Sequence, residues 1–142
     1  MQALQIQDGD LVLSNGAYAT LTGPAKVSQD IEIAVLTPYG SNRFHPRYGS
    51  VFESYVGQPS SPQTTSLIAA ELTRVINNYM AVQLGQVQAA VTSGGQSPFG
   101  QNELVSAIGP INVSQQLDQF QVTASVSTAS GQQVNVSTSV TS

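Results

Sequence analysis

The chain has 142 residues, 40% of them hydrophobic, with no cysteine and a formal net charge of −4. That length suits one domain with a modest core, and the missing thiols remove disulfides, thiolate metal sites and cysteine nucleophiles together. The acidic balance lacks the basic footprint that nucleic-acid binding requires, and no run of about eighteen apolar residues is present to form a membrane-spanning helix.

Charged residues make up only 8% of the chain, against about 25% in an average soluble domain. The polar surface is built instead from Gln, Ser, Thr and Asn. Such side chains lose their hydration at lower cost than Lys or Glu, and a surface poor in charge is weakly protected against association. This favours a subunit packed among neighbours. All four cationic residues, Lys26, Arg43, Arg47 and Arg74, lie within residues 26–74, and none follows Arg74.

In chain order, Met1 to Asp10 has neither a basic region nor an apolar run, so no signal peptide is expected there. Leu11-Val12-Leu13 and Ala17 to Leu21 flank Asn15-Gly16, a pair that accepts positive φ, which predicts an extended arm or hairpin over residues 1–26. Gly23-Pro24 reads as a break. A helix is expected from Ser28 to Thr37, with Ser28 as its cap, Asp30 and Glu32 in its first turn and Pro38 as its stop. Thr37 to Gly49 holds two Gly, two Pro and three aromatic rings, a shaped loop. Gln58 to Thr65 reads as a Pro/Ser spacer.

From Ser66 a long helix is expected, because Ile68, Leu72, Val75, Ile76 and Tyr79 form one apolar stripe. Gly85 weakens it, so its end is placed between Leu84 and Ala90. Thr92 to Gln101 should be exposed. Asn102 and Glu103 are suited to cap a short helix running to Ile108 and stopped by Gly109-Pro110. Phe120 to Ser127 alternates apolar even with polar odd positions, and Val134 to Thr141 repeats the scheme, with Ala129-Ser130-Gly131 as the turn. The expected class is α+β: a small, mostly antiparallel sheet with helices on one face and a C-terminal β-hairpin. No repeat of solenoid length is present.

Catalytic chemistry finds little footing. His45 is the single histidine, and no His-x-x-His or Glu-x-x-His spacing offers a metal site. Neither a Gly-x-Ser-x-Gly elbow nor a phosphate-binding Gly-x-x-x-x-Gly-Lys occurs. Glu32, Glu53 and Glu71 could be nominated as a glycosidase pair, yet capping or surface roles account for each. Neither catalytic residue nor cofactor is expected.

One constellation stands out: Arg43-Phe44-His45-Pro46-Arg47-Tyr48-Gly49. Stacking rings with cations can bind nucleic acid, but no further Lys or Arg supports that use. Pairing of the arginines with Asp30, Glu32 or Glu53, within the chain or across a subunit boundary, with Phe44 and Tyr48 entering the core, is the plainer expectation.

The stretch Asp30 to Ser41, ending Leu36-Thr37-Pro38-Tyr39-Gly40-Ser41, followed by Phe44-His45-Pro46-Arg47-Tyr48-Gly49-Ser50, resembles the baseplate-wedge or sheath-initiator family of contractile tails. Gly57-Gln58-Pro59 and the helix bearing Glu71, Arg74, Val75 and Tyr79 continue the likeness, which spans residues 27–142. Two departures stand out: Gly109-Pro110-Ile111 keeps only the proline of the family's Glu-Pro-Arg, and Ser41 replaces the Glu of its Gly-Glu turn.

The resemblance implies a non-enzymatic part of the tail baseplate in a virion, assembled in the host cytoplasm. Its expected partners are the tail sheath protein, other baseplate wedge proteins, and hub or tail-tube proteins, with several copies in a ring-like assembly. It further implies sheath docking by β-augmentation. The interface candidates are then Arg43, Phe44, His45, Arg47 and Tyr48 on the loop, and Val134, Val136 and Val140 in the terminal hairpin. An older "lysozyme-like" label for part of the family supplies the alternative, a tail-associated peptidoglycan glycosidase.

Overall fold

In the computed structural model, residues 2–116 and 118–141 are described. Residues 3–21 form three two-residue antiparallel ladders: β1 (Ala3–Leu4) with β6 (Thr20–Leu21), β2 (Ile6–Gln7) with β3 (Asp10–Leu11), and β4 (Leu13–Ser14) with β5 (Ala17–Tyr18). The hairpin expected at Asn15-Gly16 is therefore one of two, the other turning at Asp8-Gly9. Both turns have positive φ at both central residues, 53° and 82° in one, 52° and 79° in the other, the geometry that matches strand twist.

The ladders close on each other through a cycle of backbone hydrogen bonds. Gln5 N–H donates to Ala19 O at 2.8 Å, Ala19 N–H to Val12 O at 2.8 Å, and Val12 N–H to Gln5 O at 3.1 Å. These three residues are seven apart, as are Leu4, Leu11 and Tyr18, and Gly9, Gly16 and Gly23. The segment is a pseudo-threefold knob written by a seven-residue repeat.

Gly23–Leu36 forms α1, beginning five positions before Ser28. Pro24 starts the helix instead of breaking the chain, because its fixed φ suits the first turn and its missing N–H has no intrahelical partner there. Thr37 ends it, with both N–H and hydroxyl on Ile33 O. The same correction applies to α2, Pro62–Thr92. Ser61 caps it by accepting the Thr64 N–H at 3.1 Å, so the expected spacer is shorter than Gln58 to Thr65. Gly85 costs about 1 kcal/mol against Ala and does not stop it. Beyond Gln83 no α2 residue is buried, so its last turns project past the core.

The sheet has three strands, β7 (Val105–Gln115), β8 (Gln119–Thr128) and β9 (Gln133–Thr141), in that order. The short helix expected over Asn102 to Ile108 is absent: residues 105–108 are already strand. Gly109-Pro110 is a bulge between Ile108 and Ile111, not a helix stop. A Cβ on Gly109 would lie 2.9 Å from Ser125 O, so only glycine permits that approach, and proline is tolerated because β7 is an edge.

Both helices cover one face of the sheet, so the α+β class holds. Val27, Ile31 and Val35 of α1, and Ile68, Leu72, Val75 and Ile76 of α2, meet Phe120, Val122, Ala124 and Val126 of β8 in one cluster. Phe52, on a short 3-10 turn, tilts against Phe120 with ring centroids 5.4 Å apart. The opposite face carries Gln121, Thr123 and Ser125 from β8 and Asn135, Ser137 and Ser139 from β9. It holds no charge.

Candidate functional site

The loop between α1 and the 3-10 turn is positioned from α2. Arg74 grips Glu71 with two hydrogen bonds, Nε to Oε2 at 2.9 Å and Nη2 to Oε1 at 2.7 Å. The same guanidinium donates to Gly49 O at 2.7 Å and to Arg47 O at 3.3 Å, and stacks 4.9 Å over the Tyr39 ring. Glu71 Oε1 also accepts the Val51 N–H at 3.0 Å. Hydrogen bonding to Glu71 raises the Arg74 pKa even though burial opposes it. One Arg–Glu fork on a rigid helix thus fixes both ends of the loop.

Inside the loop, the Asn42 carboxamide oxygen accepts the N–H groups of Phe44 and His45 at 3.0 and 3.2 Å, an Asx turn that shapes the tip. Arg43, Phe44, His45 and Arg47 are all outside the core, Phe44 exposed to 89%. This corrects the expectation that Phe44 enters the core. Tyr48 alone turns inward, where burial, followed by the nearby Asp30 charge, raises its hydroxyl pKa. Neither arginine joins an ion pair among the described residues; the pairs there are Lys26–Asp30 and Arg74–Glu71. Asp30 is engaged by Lys26 and by the Tyr79 hydroxyl, which donates at 2.9 Å. Burial first, and Asp30 second, push the Tyr79 pKa far above the phenol range.

The hairpin residues sit elsewhere. Val134, Val136 and Val140 are 4%, 2% and 6% exposed; their side chains belong to the core and cannot be the contact surface. The edge of β9 is a different matter. Thr128 N–H donates to Gln132 O at 2.9 Å, and antiparallel pairing alternates from there. Even-numbered residues of β9 therefore face β8, while the peptide groups of Gln133, Asn135, Ser137, Ser139 and Thr141 face outward. Among the described residues, the hydrogen bond that reaches this backbone edge comes from Ser28 Oγ to Asn135 O at 3.3 Å. Sequence reasoning named the valines by their pattern; the outward peptide groups emerge only from register.

Of the carboxylates nominated for glycosidic chemistry, Glu71 is fully engaged by Arg74 and Val51, and Glu32 and Glu53 are exposed on separate elements. No group of three His, Cys, Asp or Glu among the described residues is arranged to hold a metal.

No family model matches the chain, and no curated protein matches it. Among solved structures, the fold is similar to the crystal structure of a "putative tail lysozyme" from Geobacter sulfurreducens, with a TM-score of 0.58 and 12% sequence identity. The likeness covers 93% of this chain and 96% of that one. At that identity it is a likeness of fold.

Proposed function

We propose that the chain is a non-enzymatic structural subunit of a contractile tail baseplate, linking wedge proteins to hub or tube-proximal proteins and nucleating the sheath. The open backbone edge of β9, on a sheet whose outer face has no charge, carries this reading. Sheet edges of soluble proteins are usually guarded by lysine, proline or a covering loop. Here five residues present outward peptide groups flanked by Ser, Asn, Gln and Thr; Asn135 O takes the Ser28 hydroxyl at 3.3 Å, a contact an incoming strand from a sheath subunit would have to displace.

Three further observations support the reading. The fold likeness extends over nearly the whole of both chains and includes a protein named for a tail. The residues that carry the family resemblance, Thr37-Pro38 and Tyr48-Gly49-Ser50, are tied together by Ser50 N–H to Thr37 O at 2.8 Å and Tyr39 N–H to Ser50 O at 3.0 Å. The low charge content suits lasting burial among neighbours in the virion, and the copies would form a ring-like assembly around the tube.

The alternative, a peptidoglycan glycosidase on the tail, draws on the name of the Geobacter protein. A zymogram of the purified chain on bacterial peptidoglycan separates the two. The structural reading expects no clearing, and lysis that tracks the purified chain would overturn it.

A further inference from the structure

A groove of about 500 Å3 lies between the N-terminal knob and α1. Ile6, Ile33 and Leu36 supply its apolar lining, and the acids along it are Asp8 and Glu32. Neither acid joins an ion pair among the described residues. Ile6 is 41% and Leu36 53% exposed, so the surface is apolar, acidic and uncovered.

The loop held by Arg74 has the opposite character. Phe44 projects into solvent between Arg43 and Arg47, on a tip already shaped by its Asx turn. An aromatic ring can bury about 150–250 Å2 of surface, and an ordered tip loses little freedom on docking. Among the described residues neither the acids of the groove nor the arginines of the tip join an ion pair, yet groove and tip match each other.

We propose that the Arg43–Arg47 loop of one copy docks into the knob–α1 groove of a second copy. Phe44 enters among Ile6, Ile33 and Leu36, and the two arginines meet Asp8 and Glu32. The ring supplies most of the binding, while the charges, partly screened by water, orient the approach. Two different surfaces are joined, so the contact is heterologous and each copy keeps one free loop and one free groove. Such contacts propagate into a closed ring or a filament. This deepens the subunit role proposed above, on which its biological use rests.

Sedimentation velocity on the full chain, from micromolar to millimolar, tests the contact. The wild type should associate with rising concentration, and Phe44→Ala should weaken that association by about tenfold or more. Two charge variants give the decisive arm: Arg43→Glu with Arg47→Glu, and Asp8→Asn with Glu32→Lys. Asn is chosen because it tolerates the left-handed φ of 53° at position 8. Each variant alone should associate more weakly than the wild type, and the two should associate more strongly when mixed. A wild type that stays monomeric, an association untouched by Phe44→Ala, or a mixture no larger than its components would overturn the proposal. Peptidoglycan cleavage, the result that overturns the subunit role, changes none of these readings, so the two failures are distinguishable.

Discussion

Glu103 and Gly23 are 80 residues apart and are joined by a hydrogen bond of 2.9 Å, the Glu103 carboxylate accepting the first-turn N–H of α1. Sequence alone suggested that Glu103 would help to cap a helix beginning beside it. It meets a different helix, at the junction of the knob, α1 and the start of β7. Burial raises its pKa, but hydrogen bonds, including those from the Gly23 and Gly100 N–H groups, outweigh that effect and hold it below the usual range.

Acid should therefore weaken this junction. A carboxyl with a lower pKa folded than unfolded adds stability above the ordinary glutamate value, about 4.3. That contribution is lost as pH falls through the lower folded value. Glu103→Gln should cost about 1–2 kcal/mol at neutral pH and shrink toward no cost in acid. Urea melts of both proteins at neutral and acid pH check this; an equal loss at both would contradict it.

Gly49 should be the least replaceable glycine of the loop. It has φ of +98°, and a Cβ there would lie 2.6 Å from Thr37 O and 2.7 Å from Pro38 O. Gly49→Ala should cost about 3 kcal/mol or more, combining the left-handed conformation with a backbone clash. Gly131 has φ of +84° but open space around its Cβ position, so Gly131→Ala should cost about 1–2 kcal/mol. Thermal denaturation of the pair gives the comparison.

Gln29 should control the knob. Its carboxamide oxygen accepts the Ile6 N–H at 2.8 Å and its amide donates to Leu4 O at 2.9 Å, so one α1 side chain imitates a neighbouring strand. Gln29→Ala should raise hydrogen exchange at the Ile6 amide by about tenfold, the loss of one or two bonds of about 1 kcal/mol each. Amides of β8 should exchange as before, since the core of α1, α2 and the sheet is untouched.

Much of this fold was legible because periodicity is a direct record of burial. The even positions of Phe120 to Val126 and the stripe from Ile68 to Ile76 are the core. Punctuation misled more than pattern did. Pro24 and Pro62 read as breaks, yet each opens a helix, and the difference lies in the helix-forming residues on their C-terminal side. Gly109-Pro110 read as a helix stop because a bulge and a stop share the same residues; only the close approach to Ser125 separates them. The knob was missed, although Gly9, Gly16 and Gly23 recur at the spacing of its cyclic hydrogen bonds. The loop was found by composition, but its exposure was not, because sequence does not tell which acids Arg43 and Arg47 can reach.

Ser137→Pro should separate folding from assembly. The Ser137 N–H points away from β8, so proline there removes no bond of the β8–β9 ladder and fills the space an added strand would occupy. The purified variant should keep the wild-type circular dichroism spectrum and melt within a few degrees of the wild type. Tails assembled with it should lack sheath. Normal sheath on such tails would show that β9 is not the augmented edge.

An electron cryomicroscopy map of intact tail particles from the cell that encodes this chain tests the central claim most directly. The account predicts the chain in the baseplate, with a strand from a neighbouring subunit paired along Gln133 to Thr141. A baseplate map without this chain, or one in which that edge of β9 faces solvent, would contradict it.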